Sequence, residues 1–229
     1  MKGCYEVAIL ETRQLKKVYG SAAASQTKAL DGVDLSVESG EFVAIVGTSG
    51  SGKSTLLNLI GGLDSPTEGT VVLNGCELSQ LNDDQLTLFR RSNIGFIFQN
   101  YNLIPNLNVY ENIILPVELD NKKVDQAYLH SILVMLDLDD KQTKYPNQLS
   151  GGQQQRIAIA RALITKPAVI LADEPTGNLD SKTSKAVMEL LRMSNTRFNQ
   201  TLIMITHNSD IAGMADRIVH IEDGRNKVS

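Results

Sequence analysis

The chain has 229 residues with 42% hydrophobic content, enough apolar material to bury one sizeable core. Its 22 basic and 26 acidic residues leave a net charge of -4 with no basic block, which argues against a nucleic-acid-binding face. Two cysteines, Cys4 and Cys76, stand far apart in no metal-binding or redox spacing and read as ordinary thiols of a reducing cytoplasm; no apolar run is long enough for a membrane span, and the N-terminus does not read as a signal peptide.

In chain order, residues 1–40 predict strands with turns at Gly32 and Gly40, and residues 68–79 predict more strand turning at Gly75, together a small antiparallel β lobe. The runs FVAIV (42–46), TVVLN (70–74), IGFIF (94–98), AVILA (168–172), TLIMI (201–205) and RIVHI (217–221) predict strands. Several are apolar at every position, as in parallel strands covered on both faces. Helical patterns over 54–61, 150–165 and 182–194 alternate with them, which predicts an α/β doubly wound sheet. Between about 100 and 160 the alternation stops. Asn108 with Glu111 makes a capping-box signature, and Val124, Tyr128, Ile132 and Met135 repeat at helical spacing, so this stretch reads as an α-helical insertion between two strands.

The chemistry begins after FVAIV. Gly47, Thr48, Ser49, Gly50, Ser51, Gly52, Lys53, Ser54 and Thr55 contain the pattern G-x-x-x-x-G-K-[ST] between a buried strand and a helix. Glycines let successive backbone N–H groups turn inward around phosphates, and the following helix adds its positive end. Lys53 would then reach the β- and γ-phosphates and the Ser54 hydroxyl would ligate Mg²⁺; a flexible Gly/Ser turn is the alternative. AVILA delivers Asp173 and Glu174 to the carboxyl end of its strand, the ligand edge of such sheets. Asp173 can hold Mg²⁺ and Glu174 can orient or deprotonate an attacking water; a helix cap and a surface acid are their bland readings. Gln99 and His207 leave their strands at the same edge, and His207 suits a γ-phosphate contact, although a lone histidine there is usually structural.

LSGGQQQRIAIARAL supplies a second glycine motif. Ser150 and Gln153 have capping-box spacing, so a plain capped helix is the simplest reading, yet Gly151 and Gly152 in the first turn each cost about 1 kcal/mol relative to alanine. Bare N–H groups at a helix start suit an anion, and since this helix belongs to the insertion, its phosphate would come from another subunit.

With GTSGSGKS as Walker A, LSGGQ as signature and VILADE as Walker B, nearly the whole chain resembles the nucleotide-binding subunits of ABC transporters. The resemblance implies a P-loop NTPase of RecA-like core (1–99 and 161–229, with the antiparallel β lobe) and a helical signature subdomain (about 100–160), all within one ABC ATPase domain. It implies that Tyr19 stacks on adenine, an aromatic core residue being the other reading. Gln99 becomes the Q-loop glutamine near the metal, NLD at 178–180 the D-loop with Asp180, and His207 the switch histidine. It further implies ATP and Mg²⁺ as ligands and a head-to-tail homodimer enclosing two ATP molecules. An ABC permease would be the membrane partner, holding the chain at the cytoplasmic face. GGLDSPTEG and EPTGNLDSKTS look most like the macrolide-exporter and lipoprotein-release branch, whose permeases handle antibiotics, peptides or lipoproteins; a cell-division-type signalling ATPase, which transports nothing, has the same motifs.

Overall fold

The computed structural model describes residues 8–20 and 26–227, so Cys4 and part of the stretch following Tyr19 lie outside it. Two sheets carry the chain. β1 (Leu10–Tyr19), β2 (Thr27–Val37), β4 (Glu68–Leu73) and β5 (Cys76–Glu77) form an antiparallel sheet in the order β2-β1-β4-β5, the lobe that the sequence predicts. β3 (Phe42–Val46), β6 (Ile94–Phe98), β7 (Val169–Asp173), β8 (Thr201–Ile205), β9 (Arg217–Glu222) and β10 (Arg225–Asn226) form the second sheet, in the order β10-β9-β3-β8-β7-β6. Every pair from β9 to β6 is parallel, and β10 is antiparallel to β9.

The runs of consecutive apolar residues are explained by the two cores. On β3, Phe42 and Ala44 belong to one core while Val43 and Ile45 belong to the other, and β7 and β8 divide in the same way. One core lies under α5 (Gly151–Leu163), α6 (Ser181–Phe198) and the insertion helices α3 (Val109–Leu119) and α4 (Gln126–Met135); the other lies between the parallel sheet, α1 (Lys53–Ile60) and the antiparallel sheet. The capping box predicted at Asn108 and Glu111 is present at the start of α3.

Three local expectations change. Gly32 sits inside β2 rather than in a turn: the pairing with β1 skips it between Asp31 and Val33, and its φ of +94° marks a bulge. A helix absent from the sequence reading, α2 (Asp83–Asn93), precedes β6 and buries none of its side chains. α6 runs on to Phe198, past residue 194, where Asn199 at φ 50° ends it in the left-handed conformation of a helix stop. A short helix, α7 (Ser209–Ala212), follows β8. Among the described residues no helix is long and apolar enough to cross a membrane.

Candidate nucleotide-binding site

Register builds the site. Phe98 pairs with Asp173, Asp173 with Ile205, and Ile45 with Ile205, so β6, β7, β8 and β3 end level. Gln99, Glu174, His207 and the loop opening at Gly47 therefore leave a single sheet edge, the carboxyl edge where open α/β sheets take their ligands.

The 47–55 loop is shaped by what stands behind it. A Cβ on Gly47 would lie 2.1 Å from the Ile221 carbonyl oxygen, and one on Gly52, at φ +100°, would lie 2.3 Å from that of Ala29. Both glycines let the loop pack against neighbouring backbone. Gly50, at φ +79°, has nothing within 4 Å of its Cβ position and faces open space. Gly224 N–H donates to the Ser51 carbonyl at 3.1 Å, tying the loop to the turn between β9 and β10. Unlike α2, α3, α5 and α6, α1 has no side-chain cap, and its first turn holds no acid to meet the positive end of its dipole. Lys53 Nζ curls back onto the Gly47 and Thr48 carbonyls at 2.9 and 2.7 Å, which presents its cation at the mouth of the loop.

Across from α1, Asp173 lies close to the Ser54 hydroxyl. Burial, and after it the neighbouring Glu174 charge, pushes the Asp173 carboxyl above the ordinary aspartate range, while Ser54 and the Lys53 charge pull it the other way. A hydroxyl paired with an under-compensated carboxylate is a hard, all-oxygen donor set of the kind Mg²⁺ takes alongside phosphate oxygens. Glu174 adopts φ 45°, unusual for a residue with a side chain, and is held there by its N–H, which donates to Ile205 O at 3.1 Å. Its Oε1 lies 2.8 Å from Nδ1 of His207. A cavity of about 570 Å³ opens beside these two, lined also by Gly177, Leu179, Asp210 and Met214 and by none of residues 47–55.

Gln99 is turned toward the 174–180 segment: its Nε2 donates to Asn178 Oδ1 at 3.2 Å. Asp180 caps α6, accepting from the N–H groups of Lys182 and Thr183, and the Thr183 hydroxyl holds its carboxyl below the usual range. Tyr19 stands at the rim, 42% exposed at the end of β1, with its hydroxyl donating to Asp64; burial first, then Asp64, raises its pKa.

Ser150 and Gln153 form the reciprocal capping box at the head of α5. The atoms closest to Gly151 and Gly152 belong to Tyr101, Leu179 and Thr183; a Cβ on Gly152 would meet Thr183 Cγ2 at 2.4 Å. Close packing within the chain is thus a second reason for these glycines, which the sequence does not reveal. Sequence reading also misses Arg161: its guanidinium donates to the carbonyls of Tyr101 and Asn102 at 2.8 and 2.6 Å, and burial lowers its pKa.

The family model described as ABC transporter matches residues 30–177. Over 220 residues the chain is 46% identical to the uncharacterized ABC transporter ATP-binding protein YvcR of Bacillus subtilis, covering 95% of this chain and 85% of that one. Over 218 residues it is 43% identical to the lipoprotein-releasing system ATP-binding protein LolD of Cytophaga hutchinsonii, covering 94% and 97%. A dimeric structure of the ATP-binding cassette MJ0796 of Methanocaldococcus jannaschii, in a post-hydrolysis state bound to ADP and Pi, matches with a TM-score of 0.85 at 42% identity, covering 96% of this chain and 97% of that one. A glycine-rich loop, two adjacent acids and a histidine on one sheet edge, within a chain that such relatives match over 94–96% of its length, leave one conclusion: the chain belongs to the ABC transporter family, as an ATP-binding subunit that hydrolyses ATP.

Proposed function

We propose that the chain is the motor of an exporter or lipoprotein-release permease, acting as a head-to-tail homodimer on the cytoplasmic face of the membrane with two ATP molecules at the dimer interface. The convergence of Lys53, Asp173, Glu174 and His207 on one sheet edge carries the reading, since it is the constellation that splits a phosphoanhydride. LolD's name supports the branch: it is the ATP-binding protein of a lipoprotein-releasing system.

In this reading the N–H groups of residues 47–55 cradle the phosphates. Lys53 exchanges its two carbonyl partners for the β- and γ-phosphates, and Tyr19 offers its ring to the adenine. Ser54 and Asp173 hold Mg²⁺, which supplies positive charge to the phosphate oxygens, and Gln99 completes that side of the site. Glu174 takes the proton of the attacking water. A neutral His207 ring that donates from Nδ1 to Glu174 can only accept at Nε2, so His207 meets the γ-phosphate either as a cation or after leaving Glu174. The head of α5, with Ser150, Gly151, Gly152 and Gln153, closes the partner subunit's site, and Asp180 lies at that interface. Helices between about 100 and 160 serve as the signature subdomain of a single ABC domain.

Capture of the tagged chain from solubilised native membranes tests this. An integral membrane protein whose addition stimulates the chain's ATPase activity is expected. Stimulation by DNA or ribosomes, with no membrane protein bound, would overturn the reading.

A further inference from the structure

The segment after β6 is held by a residue that the chemistry above does not use. Asn178 commits its whole carboxamide to it: Nδ2 donates to the Gln99 carbonyl and to Asn100 Oδ1, both at 3.0 Å, and Oδ1 accepts from Gln99 Nε2 at 3.2 Å. Beside it, the Gln99 side chain lies against the bare Cα of Gly177, where a Cβ would stand 2.6 Å from Nε2 and 3.0 Å from Cδ. Gly177 and Asn178 belong to the turn that starts at Glu174, since Gly177 N–H donates to the Glu174 carbonyl at 3.0 Å and Leu179 N–H to that of Thr176 at 3.1 Å. At its other end the segment carries two successive residues with side chains in the left-handed region, Tyr101 at φ 59° and Asn102 at φ 48°. A tyrosine holds this conformation only where its surroundings enforce it, and here the Arg161 guanidinium grips the carbonyls of both residues.

Residues 99–102 are thus mounted at two points, one on the turn of Glu174 and one on the helix of the signature motif. From this we infer that Asn178 is a positioning residue for Gln99: it sets the glutamine amide beside Glu174's turn, so that the Gln99 side chain and the proposed base keep a fixed spacing during hydrolysis. The inference rests on the reading of Gln99 as a site residue. Asn178 is exposed, so its loss leaves the core intact. A role confined to folding would move the melting temperature; a positioning role moves kcat, and only while Gln99 is present.

The test is a double-mutant cycle on the full-length chain, comparing Asn178→Ala, Gln99→Ala and the double variant by steady-state Mg-ATP hydrolysis and thermal melting. Asn178→Ala is expected to lower kcat about tenfold, the scale of coupling between residues in contact, with little change in KM for ATP or in melting temperature. In the Gln99→Ala background it is expected to lower kcat no further. Asn178→Asp, which turns the donor to the Gln99 carbonyl into an acceptor, is expected to fail as alanine does. Gln99→Ala slow, with Asn178→Ala at wild-type rate or with the two losses multiplying in the double variant, would overturn the role of Asn178 while leaving that of Gln99. Gln99→Ala at wild-type rate would overturn both and identify the parent reading as the one at fault.

Discussion

Glu174 and His207 come from neighbouring parallel strands yet meet side chain to side chain, Oε1 to Nδ1 at 2.8 Å, because the loops after β7 and β8 start at paired residues. The glutamate's φ of 45° aims it there at a conformational cost that a glutamine would bear equally. Glu174→Gln keeps an oxygen for the histidine but no longer accepts a proton. It is expected to bind ATP and to slow hydrolysis about a hundredfold or more. Size-exclusion chromatography with Mg-ATP should show the variant accumulating as a dimer; near-normal turnover would mean that another group is the base.

Lys53 donates to two carbonyls of its own loop, so removing it changes the free chain whether or not ATP is bound. The informative quantity is therefore the shift that ATP produces, not the melting temperature itself. A binding-competent chain gains roughly 2.7 kcal/mol at a hundredfold excess of ATP over the dissociation constant. Lys53→Ala is expected to lose most of that shift in a thermal melt. An unchanged shift would remove Lys53 from the phosphate site.

The raised pKa of Asp173 has a sign that stability can report. Its folded-state pKa lies above the unfolded value, so at neutral pH the ionised carboxyl is a net cost to the fold, and that cost fades as pH falls through the folded-state pKa. Asp173→Asn removes the charge while keeping the size and shape of the side chain. It is expected to melt about 2 °C above the parent at neutral pH, a gain below 1 kcal/mol once solvent screening of a half-buried group is allowed for. The advantage should shrink in acid, and hydrolysis should be lost at every pH. A variant that melts lower at neutral pH would show that the carboxylate is better compensated than its surroundings indicate.

A shared site can be tested without disturbing the packing of Gly151 and Gly152, whose missing side chains make room for Tyr101 and Thr183. Ser150→Asp preserves a good N-cap for α5 while bringing a carboxylate to its head. Mixed with Lys53→Ala chains, it produces heterodimers in which one site carries both lesions and the other carries none. Random pairing predicts recovery of up to roughly a quarter of wild-type ATPase activity from two inactive variants, together with ATP-dependent dimers. Neither activity nor dimers at any mixing ratio would sink the head-to-tail arrangement.

Strands 42–46, 94–98 and 201–205 are legible to the residue because both faces of each are buried, so apolar runs begin and end with the sheet. α2 escapes for the opposite reason: only Leu86 and Phe89 pack against the core and neither is fully buried, so its apolar stripe is short and weak. Gly32 illustrates a different limit. A positive φ serves a turn or a bulge equally, and only the register of β1 against β2 decides between them. In the site, residues that are named by a local pattern, such as Lys53, Asp173 and Glu174, could be placed on an edge from the strands preceding them. The grip of Arg161 on Tyr101 and Asn102 could not, because nothing local marks those two as left-handed and the contact spans some sixty positions.

The backing of the phosphate loop sets an order of events in the life of the chain. Its two walls are the carbonyls of Ala29 and Ile221, and Gly224 bonds Ser51 from one side while its carbonyl accepts from Asp31 N–H on the other. The loop's residues leave a ribosome long before residue 224 does. For most of translation the nascent chain thus carries this loop with the wall formed by Ile221 missing. The shape of residues 47–55 depends on chain made as late as residue 224.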